Sequence, residues 1–346
     1  MQLIVLGLNH KTAPVEIRER FNFSQDRTVR VLRRLRNNDN LNEAVLLSTC
    51  NRTELYMVLE DPAAGLHFIR TLLRHLAGEQ YKPDYFYNLT GINCVRHLFK
   101  VASSLDSLII GEGQILSQIK NAYHLSRSCG MTDTLFNTLF NRAIAVGKRV
   151  RTETKIAYSS VSVSSAAVDL AIDVVGDLTK ANILVLGAGR MSELTARHLI
   201  DKGAKTIFVS NRNLSHAQEL AEKFNGTAIP YNEFMHQAIT SDIIITSTGA
   251  PHYVITEQGV RDIIPKRSGK PLILVDIAVP RDVDPLVGDI EGVTLYNIDD
   301  LEGVVDMNKN FRSSEAKVAE AIIDEEITAL KERLRYLTTV SYTHLR

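Results

Sequence analysis

The sequence predicts an α/β multidomain protein with an N-terminal α+β domain, a Rossmann-like domain and a long C-terminal helix. Three observations support this prediction. Strands precede a run of helices in residues 1–158, strands and helices alternate in residues 159–303, and residues 304–346 carry an apolar seam at helical spacing. A length of 346 residues fits two or three such domains.

The N-terminal region reads as strands followed by helices. A strand is predicted at Leu3–Leu8, then a basic helix that begins after the N-cap Ser24 and ends near Arg36. Two further strands, Ala44–Leu47 and Glu54–Leu59, flank a short polar turn. Helical periodicity dominates from there on, with helices near 63–77, 92–103, 114–128 and 132–155.

The second region has the rhythm of a doubly wound parallel sheet. The serine-rich stretch 159–165 runs into Ala166–Val175, and together they predict the start of a helix rather than a loose linker. Strands then alternate with helices. The predicted strands are Ile183–Leu186, Thr206–Val209, Asp242–Thr246, Leu272–Ile277 and Thr294–Tyr296.

The third region predicts one helix from about 308 to 337. Apolar residues from Ala316 to Leu337 recur at intervals of three and four, close to a heptad seam. Two interpretations stay open: the helix docks on its own domain, or it is half of a truncated dimerisation element. Residues 338–346 lack helical periodicity and predict an irregular tail.

Charge is balanced overall but divided unevenly along the chain. Lys plus Arg and Asp plus Glu each number 40, yet residues 1–160 hold 21 basic and 14 acidic side chains and the remainder 19 and 26. The composition, 45% hydrophobic and 23% charged, excludes a mainly disordered protein. A polyanionic partner is therefore expected at the basic half.

Targeting and cysteine patterns favour a cytoplasmic enzyme or binding protein without a metal. Cys50, Cys94 and Cys129 are too few and too scattered for a disulfide scaffold or a zinc module. The N-terminal apolar stretch lacks the preceding basic region and the cleavage site of a signal peptide. No stretch approaches 18 consecutive apolar residues, so no membrane span is predicted.

A glycine-rich turn after the first strand of the second region predicts a dinucleotide site. Gly187 permits the tight turn, Gly189 lets a pyrophosphate approach, and Ser192 is small enough for close packing of helix on strand. The whole segment is Gly187-Ala188-Gly189-Arg190-Met191-Ser192. The segment follows a predicted strand and opens a predicted helix. This context favours a dinucleotide site over a glycine turn without a ligand.

The end of the next strand selects the cofactor. An NAD enzyme usually has an acid there for the ribose hydroxyls, whereas this chain has Ser210-Asn211-Arg212. Arg212 can pair with a 2′-phosphate, so NADPH is predicted. The Thr246–Gly249 turn is expected near the nicotinamide ribose.

Cys50 differs from the other two cysteines in context. It lies in a polar turn beside Arg52, whose guanidinium favours the thiolate, and the thiolate is the nucleophile. Cys94 lies in a helical pattern and Cys129 at a helix end, so packing is the expected role of both.

Several long motifs resemble those of the glutamyl-tRNA reductase family, over about residues 1–338. Gly7–Pro14 is similar to the family's N-terminal signature and Leu47–Glu54 to its nucleophile segment. His97–Ala102, Leu105–Glu112 and Gln114–Ile115 are similar to its pocket, and Val275–Asp282 to its nucleotide domain. Gly113 departs from the family, which more often has Pro or Asp there.

The resemblance implies a reaction and its site. Cys50 would attack the ester of glutamyl-tRNA(Glu), and NADPH would reduce the resulting thioester to glutamate-1-semialdehyde, the first step of the five-carbon route to 5-aminolevulinate and tetrapyrroles. His97 would act with Cys50 in a role left open, and a core histidine is the alternative. The implied substrate residues are Thr49, Asn51, Arg52, Ser107, Glu112, Gly113, Gln114 and Gln118, with Arg52 on the glutamate carboxylate and Glu112 on the amino group.

The same resemblance implies partners. These are the tRNA, a second copy of the chain, and a docked glutamate-1-semialdehyde aminomutase. Two basic clusters, Arg27–Arg36 and Arg142–Lys155, are candidates for the RNA contact, and the sequence does not choose between them. The alternatives to this enzyme are a shikimate-dehydrogenase-like reductase and a non-catalytic redox-sensing or tRNA-binding regulator.

Overall fold

The computed structural model describes residues 1–77, 82–107, 114–154, 156, 163–301 and 309–343. Side chains are described for the same residues except 76, 77, 309–314 and 333–343. The chain divides into two compact units, Met1–Ser160 with Asn308–Arg346, and Val161–Met307. The C-terminal helix therefore groups with the N-terminal region, and its separation as a third domain from 304 onward stays a prediction.

The first unit is built on a four-stranded antiparallel sheet. Its order is β2-β3-β1-β4, and β1 pairs with β3 along its whole length, from Gln2 opposite Leu59 to Asn9 opposite Arg52. The strand β4 is not predicted from the sequence because its four residues are too few to show an alternation. The strands are β1 Gln2–Asn9, β2 Leu41–Ser48, β3 Arg52–Leu59 and β4 Tyr87–Thr90.

Helices cover both faces of this sheet. Val5 packs into one core with the later helices, whereas its neighbours Ile4 and Leu6 pack into a second core with α2 and α3. Every residue of β3 is buried because both of its faces are covered. The helices are α1 Val15–Arg18, α2 Gln25–Leu35, α3 Pro62–Ala77, α4 Gly91–Ala102, α5 Gln114–Ser128 and α6 Thr134–Glu153. The predicted long helices of this region are confirmed, and the N-cap Ser24 accepts the Arg27 amide.

The C-terminal helix, α12 (Lys309–Thr343), packs on the same unit. Ala319, Ile323, Ile327 and Leu330 enter the core formed with α4 and α6. Between 319 and 330 the apolar seam is therefore used within the chain, in agreement with the docked-helix interpretation. The prediction of an irregular tail after 337 is wrong, because the helix continues to Thr343.

The second unit is a doubly wound sheet of six parallel strands. Its order is β10-β9-β8-β5-β6-β7, so successive strands are added on one side of β5 as far as β7 and on the other side from β8 onward. The strands are β5 Asn182–Leu186, β6 Thr206–Asn211, β7 Thr227–Pro230, β8 Ile243–Thr246, β9 Leu272–Asp276 and β10 Val293–Asn297. The helices are α7 Val163–Val175, α8 Arg190–Asp201, α9 Leu214–Lys223, α10 Phe234–Ala238 and α11 Glu257–Ile263.

The predicted parallel sheet is confirmed, and β7 is an additional edge strand. Ligands of such sheets bind at the carboxyl ends of the strands, where the order reverses. The glycine turn after β5 lies at that position.

Among the helices of the described residues, none has the length and apolar character that a membrane span needs.

Candidate active site

The turn that carries Cys50 is fixed by its own hydrogen bonds. It joins β2 to β3, and the Thr49 hydroxyl accepts the amide protons of Asn51 and Arg52, each at 3.2 Å. The Thr49 amide in turn donates to the Arg52 carbonyl at 2.9 Å. Cys50 is half-buried at the tip of this turn, which is the environment of a reactive rather than a structural thiol.

The end of β1 lies directly beside this turn. The His10 amide donates to the Asn51 carbonyl at 3.0 Å, next to Cys50. Burial, and then the positive charges of Arg52, Lys11 and Arg18, lower the pKa of His10 to about 4. His10 is therefore a neutral imidazole at physiological pH. The sequence reasoning did not assign it a role.

Arg52 lies under the turn in a buried ion-pair cluster. Its Nη1 is 2.6 Å from Glu54 Oε1, and both terminal nitrogens are 3.2 Å from Asp106 Oδ2. Arg52 Nη2 also donates to the Asp106 carbonyl. Lys11 pairs with Asp106 at 2.5 Å. Both terminal nitrogens are thus engaged within the protein, so this geometry does not favour the predicted contact with a substrate carboxylate.

Glu54 is the centre of the same cluster and is fully buried. It accepts from Tyr87 at 2.5 Å and from Tyr56 at 2.6 Å, and its Oε1 is 2.8 Å from His97 Nε2. Burial by itself would raise the pKa of Glu54, but Arg52 and His97 hold that pKa well below its usual range. Glu54 is therefore an anion that orients both a guanidinium and an imidazole.

Gly7 provides the room for this cluster. It lies opposite Glu54 in the β1–β3 register, and a Cβ at Gly7 would come within 2.8 Å of the Glu54 side chain and 3.0 Å of the Tyr87 ring. The glycine of the N-terminal signature is thus needed for close approach and not for turn geometry.

The contact with Glu54 favours a functional role for His97 over that of a core histidine. His97 packs edge-on to the Tyr87 ring, with ring centres 5.3 Å apart, and contacts Glu54 rather than the apolar core alone. Its side chain is 12% exposed. A carboxylate-bound imidazole of this kind has a fixed orientation, as catalytic histidines need.

The other predicted substrate residues are only partly described. Ser107 is half-buried and accepts from the Ser104 hydroxyl at 3.2 Å. Gln114 is the first residue of α5, and Gln118, one turn later, lines a groove together with Ser48. Glu112 and Gly113 lie outside the described residues.

The dinucleotide turn of the second unit has the geometry that its glycines predict. Gly187 has φ +114°, and a Cβ there would lie 2.9 Å from the Ser247 carbonyl oxygen. At Gly189 a Cβ would meet nothing within 4 Å, so the space above the start of α8 is open to a ligand. Ser192 is buried and bonds the Ser247 hydroxyl at 2.7 Å, as close packing requires.

The turn and the predicted selector residues share one cavity. The cavity has a volume of about 240 Å³, and its lining includes Gly187, Ser210, Asn211, Arg212, Tyr231 and Gly249. Ala188, Arg190 and Met191 belong to the turn itself and to the first residues of α8. Two predicted features that are far apart in sequence are thereby brought together, and Tyr231 joins them as a residue that the sequence did not indicate.

Two buried aspartates bond to the Thr246–Gly249 turn, part of which lines this cavity. Asp276 accepts from the Thr246 hydroxyl at 2.9 Å and from the amides of Ala278, Asp282 and Val283 at 2.9–3.0 Å. Asp282 accepts from the Thr248 amide at 2.7 Å and also bonds its hydroxyl. The motif 275–282 thus positions the Thr248–Gly249 turn. Burial raises the pKa of both carboxyl groups, to about 7 for Asp276.

Each half of the chain matches a known protein family. Residues 6–154 match the family model described as "Glutamyl-tRNAGlu reductase, N-terminal domain", and residues 169–304 match the one described as "Shikimate / quinate 5-dehydrogenase". The chain is 36% identical to the solved structure of glutamyl-tRNA reductase from Methanopyrus kandleri. That match covers 97% of this chain and 81% of the other, with a TM-score of 0.51.

Curated relatives match over nearly the whole chain. Glutamyl-tRNA reductase of Trichlorobacter lovleyi is 47% identical, over 94% of this chain and 76% of that protein. Glutamyl-tRNA reductase of Geobacter sulfurreducens is 46% identical over the same shares. The N-terminal match includes the Cys50 turn and the Glu54 cluster, and the relatives span both units. The chain therefore belongs to the glutamyl-tRNA reductase family.

Proposed function

We propose that this protein reduces glutamyl-tRNA(Glu) to glutamate-1-semialdehyde with NADPH, releases the tRNA, and so begins the five-carbon route to tetrapyrroles. The observation that carries the proposal is the Cys50 turn. A half-buried thiol sits at a hydrogen-bonded turn above a buried Arg52–Glu54–His97 cluster, in a chain 47% identical to a glutamyl-tRNA reductase.

Cys50 supplies the covalent step. Its thiolate attacks the carbonyl carbon of the aminoacyl ester, a C–S bond forms, the ester C–O bond breaks, and the ribose oxygen of the tRNA leaves with a proton. Thr49 holds the turn in place for this attack, because its hydroxyl accepts from the two following amides. The proposed contacts of the glutamyl group are Asn51, Ser107, Gln114 and Gln118. Glu112 and Gly113 are proposed as further contacts from the sequence alone.

His97 is proposed to serve the proton transfers of the reaction. The contact with Glu54 fixes its ring, and the partly exposed edge leaves it able to exchange a proton with a reacting group. When the thioester accepts a hydride, its C–S bond breaks, the aldehyde forms and Cys50 leaves as the thiolate that began the cycle, so the single proton consumed is the one that the leaving ribose oxygen takes up. Arg52 serves in this proposal as the cation that keeps Glu54 ionised.

The second unit is proposed to bind NADPH, which supplies the hydride when bound. The turn Gly187–Ser192 receives the pyrophosphate at the start of α8, where backbone N–H groups are unpaired. Ser210, Asn211 and Arg212 receive the adenosine ribose and its 2′-phosphate. The open space at Gly189 and the cavity next to Arg212 support this assignment.

Replacing Arg212 is expected to separate the two nicotinamide cofactors. Arg212→Ala removes the cation that would pair with the 2′-phosphate, so NADPH affinity should fall by about 10- to 100-fold while NADH affinity changes less than about threefold. Nucleotide fluorescence titration measures both. Arg197→Ala, an exposed arginine of the same unit, is the matched control and should leave both affinities unchanged. Equal losses of NADPH and NADH in Arg212→Ala would remove Arg212 from the 2′-phosphate.

One assay tests the proposed function directly. The full chain is incubated with glutamyl-tRNA(Glu) and NADPH, and glutamate-1-semialdehyde and free tRNA are measured. Semialdehyde formed in proportion to NADPH consumed is the expected result. The shikimate-dehydrogenase match of residues 169–304 favours one alternative, which shikimate and NADP⁺ test in the same preparation. Binding of tRNA or NADPH without any product would instead indicate a non-catalytic regulator.

The cellular setting belongs to the same proposal. A cytoplasmic location would keep the Cys50 thiol reduced. We propose that the chain forms a homodimer. We also propose that the aminomutase that consumes the reactive aldehyde docks on it. Light scattering of the purified chain, alone and with the aminomutase, tests both.

A further inference from the structure

A groove lined by both polar and apolar side chains begins beside the Cys50 turn and follows the edge strand β2. It lies between α2 and α5 and has a volume of about 620 Å³. Ser48, at one end, is two residues before Cys50. The polar side chains that line it include Gln25, Thr28, Ser48, Asn121, His124 and Ser128.

Exposed arginines of α2 border this groove. In the described part of the chain, no ion pair engages Arg30, Arg33, Arg34 or Arg36, and all four are exposed. Arg36 follows Gln25 by eleven residues, close to three whole helical turns, and therefore shares its side of the helix. Arg33, eight residues after Gln25, lies about 80° further round the helix and is nearer to that side than Arg30 and Arg34 are. Arg30 and Arg34 lie on the opposite side. The Arg36 guanidinium also reaches Gly130, just past the end of α5.

Two arginines of the second basic cluster are already paired within the first unit. Arg149 is 2.9 Å from Glu325 and 3.0 Å from Glu326, and Arg142 is 2.5 Å from Glu326. Both carboxylates belong to α12, which covers this face of α6. Of the two clusters that the sequence offers to a polyanion, α2 therefore has more arginines that remain unpaired among the described residues.

We propose that this groove, bordered by Arg33 and Arg36, binds the unpaired 3′ end of an aminoacylated RNA. The inference rests on the proposed function, which brings the ester on the terminal nucleotide to Cys50. The nucleotides that precede that ester must then lead away from the Cys50 turn, and the groove begins there. The arginines would pair with phosphates, and the polar lining would hydrogen-bond to bases and ribose.

The dimensions and side chains of the groove suit a short single strand. From Gln118 to Ser128, α5 extends about 15 Å, room for roughly four nucleotides at about 3.4 Å each. His124 is exposed and offers a ring on which a base can stack. Proteins that recognise RNA most often bind unpaired bases of single-stranded segments and ends, and this groove offers a partly basic surface for them.

A peptide added to the open edge of β2 is the competing occupant. Such a partner would pair with main-chain groups of an edge strand. The Ala44 amide at this edge already donates to the Met131 carbonyl at 2.8 Å, which closes part of it. Four unpaired arginines on the neighbouring helix also favour a polyanion over a peptide.

Arginine pairs on the two sides of α2 test the inference. Arg33→Gln/Arg36→Gln should weaken tRNA binding by about tenfold or more and reduce the slope of log Kd against log salt by about 1.4, since about 0.7 is lost for each single-strand phosphate contact. The matched control, Arg30→Gln/Arg34→Gln, removes the same charge from the opposite side and should change Kd less than about threefold. Equal effects of the two pairs would show bulk attraction and overturn the inference.

A shortened RNA locates the contact within the tRNA. Removing the four 3′-terminal nucleotides should weaken wild-type binding, and the Arg33/Arg36 pair should then cost little more. Asn121→Ala/His124→Ala should behave like the arginine pair. If the arginine pair weakens shortened and complete tRNA equally, the groove does not bind the 3′ end. Semialdehyde formation by wild-type chain in the same preparation tests the proposed function separately, so each can fail alone.

Discussion

Cys50→Ser is expected to abolish semialdehyde formation, with a loss of at least about 10³-fold. A serine hydroxyl is a far weaker nucleophile than a thiolate, and any ester it formed would accept hydride less readily than a thioester. Binding of tRNA and of NADPH should stay within about threefold of wild type, because the side chains are nearly the same size. Product assays and equilibrium titrations measure the two effects separately.

A covalent intermediate gives this prediction a second readout. Wild-type chain mixed with labelled glutamyl-tRNA and no NADPH should retain the label on protein as an alkali-sensitive thioester, and Cys50→Ser should not. Cys129→Ser is the matched control, since Cys129 is also half-buried but packs against the core of the first unit. Cys129→Ser should form both thioester and product. Semialdehyde from Cys50→Ser at the wild-type rate would rule out the thiol mechanism.

The fold was readable from the sequence where periodicity was long. Three strands of the first sheet, the doubly wound second sheet, the helix that begins after Ser24 and the glycine turn at Gly187 follow from local pattern alone. The four-residue strands β4 and β7 are not predicted, because they are short and also lack the continuous apolar run that identifies the equally short β8. The end of α12 was missed because side-chain pattern predicts amphipathic helices and residues 338–343 lack that pattern.

The candidate site was only half readable. Cys50, His97 and Arg212 were named from motif and context, but the partners that orient them come from distant segments. Asp106 reaches Arg52 from 54 residues away, and no local pattern reports that contact. Arg52, Glu54 and Tyr56 did carry a signal, since polar residues at alternate positions of an otherwise apolar strand face one side together.

Which of the two basic clusters can bind a polyanion also depends on tertiary packing, which the sequence pattern does not report. Both clusters look alike in sequence, and only the packing of α12 on α6 shows that Arg142 and Arg149 are paired with Glu326. Charge counts along a chain therefore indicate that a polyanion is expected but not where it binds.

Glu54→Gln is expected to destabilise the first unit by about 3–5 kcal/mol at pH 7, as removal of one partner from a buried ion pair does. The amide keeps the size of the side chain but leaves Arg52 with less negative charge around it and cannot accept from Tyr56, Tyr87 and His97 as the carboxylate does. Urea unfolding measures the loss. Glu60→Gln, at an exposed position directly after the same strand, should cost under about 0.5 kcal/mol.

The pH dependence of that loss identifies its cause. Because the folded protein holds the pKa of Glu54 below its ordinary value, ionised Glu54 stabilises the fold above pH 4.5, and this contribution is lost as the pH falls further. The difference between wild type and Glu54→Gln should therefore be largest near neutrality and shrink below pH 4.5. A difference that stays constant down to pH 3 would point to lost packing instead. A double variant, Arg52→Met/Glu54→Leu, should cost less than Glu54→Gln alone, because most of the penalty comes from a buried cation left with Asp106 as its only carboxylate partner among the described residues.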